Sequence, residues 1–346
     1  MMTPKMITTS DLAGLVADLA AGGTTVVAPA KGPDGRVDYR EIHALANAVL
    51  GGPLPRMSLK TLFLPATEPL FTWRLRKDGI DLAEPHVPPA RTVVLGARPC
   101  DAAAVEVLDH VMGWDYKDEP WFRRREATTV ISLACAGGDA SCFCTATGLG
   151  PDTTRGADLL LVPVTGGYRV EAVTVKGEVL VGAAPTRFRD GSQAADAEPF
   201  RAEARRRAEA QQAVDPKKVR TWLEQHFEHP MWAEIAARCH GCGACAAVCP
   251  TCHCFDIVDE PEGIEAGTRR RNWDTCQAGV FTLHASGHNP RGDQGARYRQ
   301  RVNHKFAIYP ARFGEVLCTG CGRCSRACPG GMDLPEVLGR IGRMAV

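Results

Sequence analysis

The chain has 346 residues, 45% hydrophobic and 23% charged, a profile that excludes a disordered chain and leaves room for two domains. Lys and Arg total 41 against 40 Asp and Glu, so the net charge of +1 lacks the basic surplus of a nucleic-acid binder. No apolar run reaches membrane-spanning length, and Met1–Ser10 meets Asp11 before a secretory core can form. Neither membrane insertion nor a secretory signal is expected, and the cytoplasm is the expected compartment.

The first half reads as α/β. Ser10-Asp11 is placed to cap a helix whose Leu12, Leu15, Val16 and Leu19 share one face, with Gly22-Gly23 at its end. Thr24–Ala28, Arg91–Gly96 and Ala127–Leu133 are β-branched strands, and Asp101 starts a helix carrying Val105, Leu108 and Met112. Leu159–Val164, Tyr168–Val175 and Glu178–Val181 read as a meander. From Ala183 to Val214 the composition shifts to Ala, Arg, Glu, Asp and Gln, as in a linker, and Glu203–Gln212 should be an exposed helix. Asp215-Pro216 starts another, leading through Trp222, Phe227 and Trp232 into the second half. The expected organisation is an α/β (α+β) domain over 1–182 and a charged helical linker over 183–214. A mostly helical, two-cluster ferredoxin-like domain over 215–346 completes it.

Fifteen cysteines are the outlying feature. A reducing compartment argues against a disulfide framework, and an odd count leaves one sulfur unpaired in any such scheme, so metal ligation is the better use. Cys239-His-Gly-Cys242-Gly-Ala-Cys245-Ala-Ala-Val-Cys249-Pro250 has the spacing C-x2-C-x2-C-x3-C-P. Cys318-Thr-Gly-Cys321-Gly-Arg-Cys324-Ser-Arg-Ala-Cys328-Pro329 repeats it. This is the bacterial ferredoxin string for [4Fe–4S] cubanes. Three thiolates must converge from one tight loop, and the glycines permit the close approach. In two-cluster ferredoxins the fourth cysteine crosses over. Cys239, Cys242, Cys245 and Cys328 are therefore expected around one cubane, and Cys318, Cys321, Cys324 and Cys249 around the other. Zinc ribbons also use C-x2-C, but not with a C-x3-C-P tail repeated twice.

Three further cysteines follow the first run, Cys252, Cys254 and Cys276. Free buried thiols are the favoured reading for them, with His240 and His253 beside the clusters or at the surface. Arg291, Arg297, Arg299, Arg301 and Lys305 form a basic stretch. It either raises the cluster potential and docks an acidic partner, or is a solvated face. In the first half, Cys100, Cys135, Cys142 and Cys144 lie at predicted strand ends, where α/β scaffolds present their sites. Four ligands complete a third cubane there, with buried unligated thiols as the alternative. No G-x-G-x-x-G, phosphate loop or nucleophile constellation is visible, so no substrate chemistry is expected.

Ser58–Pro65, Gly96–Asp101, Ser141–Thr145 with Gly148 and Pro151, Cys249–Phe255, Trp273–Cys276, Gly287–Arg291 and His304–Phe306 run along most of the chain. Together with the cubane runs, this set resembles the 4Fe–4S dicluster subunits typified by the beta subunit of cytosolic NAD(P)-linked nickel–iron hydrogenases (sulfhydrogenases). It is also similar to the corresponding iron–sulfur subunit of anaerobic sulfite reductase. The resemblance implies a non-catalytic iron–sulfur relay between a flavin subunit that meets NAD(P)H and a catalytic subunit holding nickel–iron or siroheme. A second reading is a self-contained enzyme using the N-terminal cysteines, with Asp101 beside Cys100 supplying an oxygen ligand.

Overall fold

The computed structural model describes residues 5–84, 88–191, 196–211 and 214–345. In chain order the strands are β1 (Lys5–Thr8), β2 (Thr25–Lys31), β3 (Val37–Glu41), β4 (Thr67–Leu75), β5 (Ile80–Ala83) and β6 (Thr92–Ala97). They continue with β7 (Thr128–Leu133), β8 (Leu159–Val164), β9 (Gly167–Ala172), β10 (Arg189–Asp190), β11 (Phe255–Pro261) and β12 (Ala266–Trp273). Eight of them form one mixed sheet in the order β10-β1-β9-β8-β7-β6-β2-β3. Its centre is parallel, β2 on β6, β6 on β7 and β7 on β8.

The parallel centre follows from near-continuous apolar runs, which suit strands covered on both faces. Side chains alternate between those faces. Val93, Leu95, Ile131 and Leu133 pack with Leu12, Leu15 and Val16 of the helix Thr9–Ala21. Val94 and Val130 point the other way, onto Val105, Leu108 and Met112 of the helix Pro99–Met112 and Trp121 of the helix Glu119–Ala127. The parallel strands β6 and β7 therefore end side by side, and the chain beyond them carries Cys100 and Cys135.

The remaining four strands form a second sheet in the order β11-β12-β4-β5. Here the two halves of the chain are joined, because β12 pairs antiparallel with β4 from Ala266↔Arg74 to Asn272↔Thr67. Buried Arg271 seals the joint, with Nε donating to Glu68 Oε1 (2.7 Å) and the guanidinium also reaching Asp118. Elsewhere the second half is helical. Val219, Trp222, Trp232, Val302, Phe306, Leu338 and Ile341 form its core, from the helices Pro216–Gln225, Met231–Ala236, Gln294–Asn303 and Leu334–Met344 and the π-helical turn His304–Ile308.

Two expectations are corrected. Glu178–Val181 is not a strand but part of the helix Val175–Ala183, because Thr174 caps it through Gly177 N–H. Glu203–Gln212 lies partly within the helix Glu198–Glu209, whose Arg and Glu side chains are largely exposed while Ala204 and Ala208 are buried. Residues 192–195, Gln212 and 213 of the expected linker lie outside the described residues, as do 1–4. Helix Pro216–Gln225 starts as expected, with Asp215 accepting from Lys217 and Lys218 N–H. Among the described residues no helix is long and apolar enough to cross a membrane.

Candidate metal centres

All fifteen cysteines are free thiols, and most gather around two cavities. The first cavity is lined by Cys239, Cys242 and Cys245 of the first run together with Cys324 and Cys328 of the second. Cys328 thus stands with the three cysteines of the other run. The chain after Cys328 reaches them because Gly330 presses against the carbonyl of Arg238, leaving no room for a side chain. His240 lines this cavity too, while Gln294 Nε2 donates to Cys239 Sγ (3.2 Å) and Met332 N–H to Cys328 Sγ (3.3 Å).

Cys249 turns the other way. Thr251 Oγ1 donates to the carbonyl of Leu317 (2.9 Å), the residue before Cys318, and so ties the tail of the first run to the head of the second. Lys305 Nζ bridges the joint, donating to Leu317 O (2.9 Å), Thr251 Oγ1 (3.0 Å) and Cys249 Sγ (3.4 Å). The charge of Cys249 acts on Cys318, Cys321 and Cys324, and on Cys245 of its own run as well. Burial pushes the Cys318 thiol up to about 12 and Cys324 to about 11, so these groups ionise only where cations or a metal compensate.

The basic stretch divides. Burial opposes the charge of Lys305, yet Cys249 and Cys252 hold its ammonium above the ordinary range. Arg301 is equally buried and donates to Cys252 Sγ (3.1 Å) and to the carbonyl of Cys245 (3.0 Å). Arg299 instead pairs with Glu228 and covers Phe227, and Arg297 serves Gln294 and loop carbonyls. The π-helical turn that begins at His304 places Lys305 against the cysteines, in keeping with the occurrence of such turns at functional sites. A residue that sequence reasoning passed over joins them. Buried Lys60 donates to the carbonyls of Cys252 (3.0 Å), Ala246 and Ala247 (both 3.4 Å) and lies over the Trp273 ring. Its only sequence trace is the Ser58–Pro65 motif, which carries no chemistry by itself.

Cys252 is buried and Cys254 and Cys276 are partly so. A hydrogen bond from Cys254 holds Cys276 down to about 5, and Cys252 is likewise bonded to Cys249. His253 packs edge-on against His304, and burial lowers these imidazoles to about 4 and about 3.

The second cavity, about 240 Å³, is lined by all four N-terminal cysteines. Cys100 follows β6 and Cys135 follows β7, as the strand-end expectation had it, and Cys142 and Cys144 come from the loop after β7. Cys321 of the second run lines the same cavity. Burial raises Cys144 to about 12 and Cys100 well above its ordinary value. Asp101 is not available as an oxygen ligand. Its carboxylate receives both Nη atoms of Arg323 (2.6 and 2.7 Å) and the hydroxyl of Tyr39 (2.7 Å), all buried or nearly so.

Among the described residues no three Cys, His, Asp or Glu side chains meet at a point suited to a single ion. All-sulfur donor sets, N–H groups aimed at the sulfurs and buried cations beside them fit an anionic iron–sulfur group.

This donor chemistry is that of an iron–sulfur protein. Residues 238–332 match the 4Fe-4S dicluster domain family. Over 252 residues the chain is 31% identical to sulfhydrogenase 2 subunit beta of Pyrococcus furiosus, spanning 72% of this chain and 73% of the relative. No solved structure matches the chain. The chain belongs to the family of 4Fe–4S dicluster electron-transfer subunits.

Proposed function

We propose that the chain is the iron–sulfur relay subunit of a multisubunit cytoplasmic oxidoreductase, standing between a flavin subunit that meets NAD(P)H and a catalytic subunit. A nickel–iron hydrogenase is the catalytic partner we favour, because the relative is the beta subunit of a sulfhydrogenase. The observation that carries the relay reading is where the fourth cysteine of each run lies. Cys328 lines the cavity of Cys239, Cys242 and Cys245, while Cys249 is tied to Leu317 beside Cys318.

On this reading Cys239, Cys242, Cys245 and Cys328 hold one [4Fe–4S] cluster, and Cys318, Cys321, Cys324 and Cys249 hold the second. Cys100, Cys135, Cys142 and Cys144 hold a third. Bound clusters supply one-electron redox capacity. The protein's part is to supply thiolates, exclude water and set local charge. Lys305 and Arg301 compensate the thiolate of Cys249, which the Cys252 thiol also bonds. Because burial raises Cys144, Cys318 and Cys324, loading must displace their protons, so it is favoured by rising pH.

The test is made on the whole chain, reconstituted anaerobically. Alone it should oxidise no NAD(P)H, and its clusters should be reduced once NAD(P)H is supplied together with a flavin subunit. Turnover of NAD(P)H by the isolated chain contradicts the relay reading.

A further inference from the structure

The two cubane runs share every cysteine and both glycines but differ in charge at two positions of one short helix. Arg323 and Arg326 stand where the first run has Ala244 and Ala247. The backbone does not require them, since Ala244–Ala247 and Arg323–Arg326 are both four-residue helices entered through a left-handed glycine, Gly243 or Gly322. Burying a guanidinium is costly unless every donor finds a partner. Buried Arg323 finds its partners on the N-terminal half, and the exposed Arg326 finds its carboxylate there.

Arg323 is buried, with Nε on the carbonyl of Pro55 (2.9 Å) and a two-pronged pair to Asp101, the residue after Cys100. Arg326 donates through Nε (3.0 Å) and Nη2 (2.5 Å) to Asp139, through Nη2 to Cys142 Sγ (3.1 Å), and through Nη1 to the carbonyl of Cys321 (2.8 Å). One side chain therefore touches a cysteine residue of each site. Just before the two arginines the backbones meet directly. Phe143 N–H donates to Gly320 O (2.8 Å), and a Cβ on Gly320 or Gly322 would overlap the backbone of Ser141–Cys144. With φ of +61° and +69° these positions favour glycine on conformational grounds as well.

We infer that Arg323 and Arg326 are positioning residues that lock the N-terminal four-cysteine cavity against the second cubane run, making those two metal sites a closely spaced pair, with the second run standing between the N-terminal cavity that Cys321 lines and the first cavity that Cys324 lines. Arg326 has a second role, holding positive charge on Cys142. Charge and hydrogen bonds at the ligating sulfur raise a cluster's reduction potential. This inference rests on the reading of Cys100, Cys135, Cys142 and Cys144 as cluster ligands.

The experiment is an EPR-monitored redox titration of the whole reconstituted chain and its variants, with iron counted in every sample. Arg326→Gln removes charge but keeps a donor, and should move the N-terminal cluster's midpoint to more negative potential. Arg326→Lys should restore most of that shift. Arg323→Met should weaken the magnetic interaction between the reduced N-terminal and second clusters. The first cluster's signal and midpoint serve as the internal control for folding and should stay unchanged in all three. A parent chain that saturates near about 8 irons overturns the third-cluster reading and this inference with it. A parent near about 12 irons, whose variants keep their iron, their midpoints and their coupling, overturns the inference alone.

Discussion

The two cubane runs present the same cysteines to opposite surroundings. In the first run the cations come from outside the run, Lys60 from the N-terminal half and Arg301 and Lys305 from the segment between the runs. Lys60 reaches the carbonyls of Ala246 and Ala247, which small side chains leave open, and Cys242 remains exposed. In the second run the cations belong to the run itself. Arg323 and Arg326 reach carboxylates of the N-terminal half, and Cys321 is buried against the N-terminal cysteines. A ligand string therefore specifies what is bound, whereas the residues between the ligands decide what the bound group faces.

The exchange of fourth cysteines proposed above involves both runs, and breaking it should have the largest effect. Cys328→Ser should cost about 4 irons per chain, and the loss should lower the thermal midpoint of the whole second half, because the exchanged cysteines tie residues 239–249 to 318–328. Iron analysis with calorimetry checks this; retention of all iron contradicts the exchange.

Next in size is the Asp101–Arg323 pair. Arg323→Met alone leaves a buried carboxylate with only the Tyr39 hydroxyl as side-chain partner and should destabilise by about 3–5 kcal/mol in denaturant titrations. Asp101→Leu in the same chain should recover much of that, since removing both charges of a buried pair is often close to neutral. Equal losses in the single and double variants would show that the charge pair is not what binds the second run.

The first run offers the converse. Lys60→Met strands three carbonyls and should cost about 1–3 kcal/mol, leaving the second run's EPR signal intact. A change confined to the second run's signal would reverse the comparison.

The smallest effect is in the pH dependence. His253 and His304 titrate near about 6.5 in an unfolded chain, but burial keeps them neutral down to about 4 and about 3. Between those limits the unfolded chain binds more protons, so stability rises with pH and is lost as pH falls below about 6.5. Each histidine should account for about 1 kcal/mol by pH 6. Denaturant midpoints from pH 5 to 8, compared between the parent and a chain carrying His253→Asn and His304→Asn, measure it; equal acid slopes contradict it.

Much of this was legible in the residues. Apolar runs located β6, β7 and β8, with Leu159–Val164 found to the residue, and the repeated spacing pointed to the dicluster domain matched over residues 238–332. Local signals failed where tertiary contacts decide. Val175–Ala183 has too short and too weak a period to separate helix from strand, and its Thr174 cap falls inside the strand expected over Tyr168–Val175. The β12–β4 pairing joins segments on either side of the large sheet's centre, which no local pattern announces. Lys60 and Arg323 were ordinary charged residues in sequence, and Asp101 was legible as a helix start and a candidate oxygen ligand but not as the partner of Arg323. Their importance comes from burial against partners far along the chain, and only the alanine-to-arginine difference between the runs hinted at it.

The most direct test of three metal sites in this chain, with the third built on the N-terminal cysteines, is the iron content of the anaerobically reconstituted whole chain beside its Cys142→Ser, Cys144→Ser double variant. About 12 irons falling to about 8, with the signals of both cubane runs retained, is the predicted result. A parent that saturates near about 8 and is unchanged by the double substitution contradicts it.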